Sequence, residues 1–192
     1  MAEQPLNLPE DLSLLLYGDT GHGKSTLIAQ LAVHLAQQGK RTAIFLADKG
    51  SHRPFKLLAK QGVVDLYHPQ GNAWLWVHHA LRGEVKDAKG TYHSVVKDDI
   101  GLVVHEGLTA YAELLMSSLA SMSANGTNVG GEGAWNVTIR EDKDSLKLGT
   151  SNRAHYGMVQ LQIREGIHAE KPPVPHIFTA GVRRGESGQN TP

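Results

Sequence analysis

The eight residues Gly18-Asp19-Thr20-Gly21-His22-Gly23-Lys24-Ser25 have the types and spacing that hold phosphate. They fit the pattern G-x-x-x-x-G-K-[ST], and each position has a chemical reason. Glycines at 18, 21 and 23 let the backbone turn so that the N–H groups of Asp19, Thr20, His22 and their neighbours can point inward at anionic oxygens. A helix opening at the end of such a loop adds the positive end of its dipole to the same anion. Lys24 is placed to reach the β- and γ-phosphates of a nucleotide. The Ser25 hydroxyl is placed to ligate Mg²⁺, and Thr26 closes the loop. The chemistry then needs a carboxylate on the metal side and a group that orients water. For the first, Glu106 at the end of the apolar run 100–105 is the candidate, with His105 in that position as the alternative; Mg²⁺ prefers oxygen to imidazole, which favours Glu106. For the second, Asp48 follows another apolar run and could act as general base, with Glu106 as the alternative and Lys49 available to neutralise phosphate charge.

These groups must be carried by regular elements. Residues 12–17 (LSLLLY) form a short apolar run, read as a strand, that stops at the glycine loop. Leu27, Ile28, Leu31, Ala32 and Leu35 recur at helical spacing after it, with Gly39 as the cap, and residues 41–47 (RTAIFLA) form the next strand. Strand, helix and strand within forty residues predict a βαβ unit and a mostly parallel sheet covered on both faces, an α/β protein of three layers. Further along we expect a short helix over 55–60, a strand over 63–67, a helix over 73–81, and a hairpin at Lys89-Gly90 within a polar stretch. A buried strand over 100–105 and a helix over 108–122 follow, then a helix over 152–168 and a strand over 176–182. Residues 1–10 read as a loose lead-in. Residues 123–150 read as a mobile loop region, with a short strand over 135–139 and a charged turn over 141–149. Residues 185–192 read as a tail. The whole reads as one domain, 1–192.

Composition narrows the rest. Nineteen basic and nineteen acidic residues cancel, against a strongly basic nucleic-acid binder. The chain has no cysteine, which excludes disulfides, thiolate nucleophiles and zinc–thiolate sites. No apolar run reaches the roughly 18 residues of a membrane span, and the first residues lack the marks of a signal peptide, so a cytoplasmic protein is expected. His78 and His79 are adjacent, point about 100° apart on a helix, and make a poor metal pair. The G-x-S-x-G elbow of hydrolases and the N-K-x-D guanine signature are missing, which leaves adenine as the expected base.

With these motifs the chain resembles the RecA-like P-loop ATPases, and among them the small phage-encoded ATP-binding proteins that act in single-strand annealing and recombination. The resemblance rests on residues 14–32, on 101–115 (GLVVHEGLTAYAELL) and on 152–184, about half of the chain. It implies a Mg²⁺-dependent ATPase that converts ATP and water to ADP and phosphate, works with single-stranded DNA, and assembles as a homo-oligomeric ring or filament, in the host cytoplasm if phage-encoded. It is imperfect at three places. Glu106 stands where aspartate is usual, Lys49 falls on the position of the catalytic glutamate, and Gly181 falls on the glutamine sensor. It also implies further strands after residue 182, so the chain resembles a truncated or minimal version of the fold. For DNA, the loop 123–133 with Trp135 and Arg140, Lys143, Lys147, Arg153 and Arg164 are candidate contacts. Arg183 or Arg184 are candidates for an arginine finger. The alternatives are an ATP-driven DNA-packaging motor, with His105-Glu106 as half of its acidic pair, and a nucleotide-gated DNA-binding module that hydrolyses slowly or not at all. A small-molecule kinase is a weaker one.

Overall fold

Five strands pair side by side, and the inner ones, over 41–46, 100–106 and 176–181, bury most of their side chains and so need cover above and below, whereas the edge strand over 13–18 leaves Leu14, Leu15 and Tyr17 exposed. The computed structural model describes residues 7–48, 50, 52–124, 140–142, 145–147, 153–169 and 173–181. The elements are β1 (Ser13–Gly18), α1 (Lys24–Gln37), β2 (Arg41–Leu46), a 3₁₀ turn (Arg53–Phe55), α2 (Lys56–Lys60), β3 (Val64–Tyr67), α3 (Ala73–Ala80), β4 (Glu84–Lys86), β5 (Tyr92–Ser94), β6 (Ile100–Glu106), α4 (Leu108–Ala124), β7 (Arg140–Asp142), β8 (Ser145–Lys147), α5 (Arg153–His168) and β9 (His176–Gly181). The main sheet has the order β1-β9-β6-β2-β3, and every pairing in it is parallel. All five strands therefore end at the same edge, where the turns after β1, β2 and β6 meet.

Strand alternation splits the core in two. On one face Ile28, Ala32 and Leu35 of α1 pack with Phe55 against Ile44, Leu46, Leu102, Val104 and Ile177. On the other, Trp76, Val77, Ala80 and Leu81 of α3, Tyr111, Leu115 and Leu119 of α4, and Val159 of α5 cover Phe45, Val103 and Phe178. This is an α/β architecture with helices on both faces of a parallel sheet, compatible with three layers. The layer of α3, α4 and α5 is tight. A Cβ on Gly166 of α5 would lie 2.5 Å from Leu81 Cδ1, so only glycine lets α5 approach α3 this closely.

Local chemistry explains the helix ends. Gly39 has φ +74°, its N–H bonds to Ala36 O, and Lys40 N–H bonds to Leu35 O, closing α1 with a Schellman turn on the expected glycine. The Asn72 carboxamide oxygen accepts from the N–H of Trp74 and Leu75 and so caps α3. β4 and β5 form the hairpin expected around Gly90. Two differences from the sequence reading stand out. α4 continues to Ala124, two residues beyond the expected end, and β7 with β8 forms an antiparallel hairpin where a charged turn was expected. Residues 125–139, with Trp135, lie outside the described residues. So do Lys49, Arg183, Arg184 and the tail. No helix among the described residues is long and apolar enough to cross a membrane.

Candidate functional site

β1 ends at Gly18, and the chain turns through Gly21 (φ +87°) and Gly23 (φ +80°) before α1 begins at Lys24. Side chains rarely adopt those angles, which is why glycines occupy them. Gly23 is the N-cap of α1, no side chain caps the helix, and no acidic residue lies in its first turn. The contrast with α3, capped by Asn72, is chemical. The first N–H groups of α1 and its dipole are left to be satisfied from outside the protein, as an anion would do. The Lys24 ammonium donates to Gly18 O (2.7 Å) and Asp19 O (3.0 Å), which holds it at the loop. An ammonium has three protons, so one more bond is available. Asp19, Thr20 and His22 contribute backbone to this turn, and the His22 side chain is exposed above it.

Ser25, on the first turn of α1, donates its hydroxyl to Glu106 Oε1 at 2.7 Å. The two residues are 81 positions apart in sequence, and β9 lies between β1, which leads into α1, and β6, which ends in Glu106. Glu106 is 4% exposed. Its Oε2 is buried and has no hydrogen-bond partner. Burial pushes the Glu106 pKa above the ordinary carboxylate range, while the Ser25 hydroxyl, the Thr179 hydroxyl and the Lys24 charge pull it back. A desolvated carboxylate beside the Ser25 and Thr179 hydroxyls suits a hard cation. Among the described residues no three His, Asp or Glu side chains converge as a metal cluster. A cation at Ser25 and Glu106 would take its remaining oxygens from phosphate and water, as Mg²⁺ commonly does.

His105 is placed otherwise than the alternative reading required. Being one residue from Glu106, its side chain emerges on the opposite face of the sheet. There it is fully buried, stacked on Phe178 at 4.6 Å and Phe45 at 5.6 Å, and within 3.1 Å of His176 Nδ1. His105 therefore cannot share a metal with Ser25.

The loop and Glu106 border a cavity of about 450 Å³, with Asp48, Gly50, Arg53 and Thr179 on its other walls. A larger hollow, about 540 Å³, lies at the opposite end of the strands around Lys40 and Lys97, away from the loop. Asp48 is exposed at the rim of the smaller cavity, and its Oδ1 accepts from Gly50 N–H at 2.8 Å, as a turn aspartate would. It also lies close enough to raise the Glu106 pKa. The structure thus brings Lys24, Ser25, Glu106 and Asp48 to one cavity, and Thr26 lines it as well.

Two residues here were not singled out from the sequence. Thr179 on β9 accepts from Gly107 N–H at 2.8 Å and pins the turn after Glu106. Its signal was a threonine inside the apolar run IFTA. Gly181, the expected sensor position, bonds instead to Thr109 through its N–H (3.2 Å). Arg53 had no local signal. Set against protein-family models and curated proteins, the chain matches none of them.

Proposed function

We propose that the protein binds ATP with Mg²⁺ at this cavity and hydrolyses it, as a P-loop NTPase of RecA-like type. The observation that carries the reading is the Ser25–Glu106 hydrogen bond at the start of an uncapped helix, directly after a glycine loop that holds a lysine. The loop amides and Lys24 bind the β- and γ-phosphates, and Ser25 and Glu106 hold Mg²⁺. When bound, the ion offsets the charge that develops between the β- and γ-phosphates. Asp48 accepts a proton from the attacking water while that water's oxygen bonds to the γ-phosphorus. The bond to the β,γ-bridging oxygen breaks and ADP leaves as the product. A role with single-stranded DNA in phage recombination or replication, and assembly into a homo-oligomer, extend this reading through the family resemblance alone.

The test is MgATP binding by the parent chain and by Lys24→Ala. Losing a charged contact to phosphate should weaken binding by about a hundredfold. A Lys24→Ala protein that binds as tightly as the parent would overturn the reading. A second reading, a nucleotide-gated module with slow turnover, is favoured by one observation: an Asp48 oxygen is already engaged with Gly50. Steady-state turnover above about 1 s⁻¹, an ordinary enzyme rate, would dispose of it, and turnover stimulated by single-stranded DNA would join the site to the recombination role.

A further inference from the structure

We infer that Arg53 binds the terminal phosphate of the nucleotide from the same chain and so makes the site discriminate triphosphate from diphosphate; this rests on the function proposed above. Arg53 lines the same cavity as the phosphate loop, Glu106, Asp48 and Gly50, and it follows β2, which lies next to β6 in the sheet on the side away from β1. Its backbone is well fixed. It opens the 3₁₀ turn, Pro54 follows it, and Phe55, two residues on, is fully buried in the core under α1.

Its charge is uncommitted. Arg41 pairs with Asp65 and Asp99, and Arg82 approaches Glu84 at 3.8 Å. Arg53 has no carboxylate partner or hydrogen bond among the described residues, although two carboxylates line the same cavity. A guanidinium presents five donors in a planar fork that matches phosphate oxygens.

Position decides which phosphate it meets. The loop and Lys24 occupy one wall. Ser25 and Glu106 are the residues that would hold a cation beside the phosphates. Along the sheet edge the order runs from the loop after β1, past Thr179 on β9 and Glu106 on β6, to Asp48 after β2 with Arg53 following it, so a phosphate chain that starts at the loop meets Arg53 with its outermost group. A diphosphate held by the loop would leave Arg53 without a ligand. Because Arg53 is exposed and two residues from its core anchor, its truncation should leave the fold intact.

The experiment compares Arg53→Ala with the parent chain and with Lys24→Ala, using calorimetric titration with MgADP and with the non-hydrolysable triphosphate MgAMPPNP. The expected result is a rise of at least about tenfold in Kd for MgAMPPNP in Arg53→Ala, with the MgADP Kd within about twofold of the parent. Lys24→Ala should lose both ligands. If Arg53→Ala binds MgAMPPNP as tightly as the parent, or loses both nucleotides equally, the assignment of Arg53 is wrong while the phosphate-loop reading stands. If the parent binds neither nucleotide, or Lys24→Ala binds both like the parent, the proposed function fails and Arg53 falls with it.

Discussion

His105 and Glu106 are neighbours on β6, both buried, and they meet opposite surroundings. His105 enters an aromatic stack with Phe45 and Phe178 under α4, where its ring adds apolar contact and lies within hydrogen-bond distance of His176. Glu106 enters the phosphate-loop side, where one oxygen is satisfied by Ser25 and the other is not. The first arrangement repays burial through packing. The second carries a desolvation cost that either a retained proton or a bound cation would offset. Two residues of similar burial therefore have different relations to stability and function, and the pleat of the strand separates them.

That contrast can be broken by substitution. His105→Ala should cost the most stability, about 3 kcal/mol, because it leaves a cavity in a closed aromatic layer; urea unfolding measures it. Nucleotide affinity per folded molecule should stay within about threefold, and a large affinity loss without a stability loss would put His105 in the site. Glu106→Gln should do the reverse. Its carboxamide oxygen can still accept from Ser25, so stability should hold or rise, while Mg²⁺-dependent turnover falls by about a hundredfold, close to 3 kcal/mol of barrier.

Gly166→Ala probes the His105 face alone. The added methyl would overlap Leu81, so a loss of about 2 kcal/mol is expected with unchanged nucleotide affinity. The smallest effect is in the pH dependence. Burial raises the Glu106 pKa, so the folded chain without nucleotide keeps that proton to a higher pH than the unfolded chain does. Stability should fall as pH rises from the ordinary glutamate range through the raised value, by at most about 1.4 kcal/mol per pH unit. Urea midpoints measured across that window should show this slope in the parent and lose it in Glu106→Gln.

Much of this was legible because its signals are local. The strands of the main sheet are apolar runs, the close of α1 is a glycine, and the phosphate loop is a contiguous pattern. Glu106 could be named because it ends a buried run. The choice between Glu106 and His105 needed the sheet, since which face a residue takes depends on neighbours that the sequence does not identify. Arg53 was missed for a related reason. It sits in a polar stretch after β2 and becomes interesting only once β2 and β6 lie side by side. The β7–β8 hairpin was missed because its strands are only three residues each and charged, with no apolar alternation to mark them.

β9 comes later in the chain than every other described strand, yet it lies between β1 and β6. Until it inserts, β1 has no neighbour in the sheet, and the helix that bears Ser25 is held to the strand that bears Glu106 by its own packing against Leu102 and Val104, without β1 to anchor the loop before it. A chain emerging from the ribosome would thus hold all the parts of the site long before it had the site itself. Its longest-range pairing would be formed late and slowly. Ligand competence would arrive with the closing of the sheet rather than with the loop that advertises it.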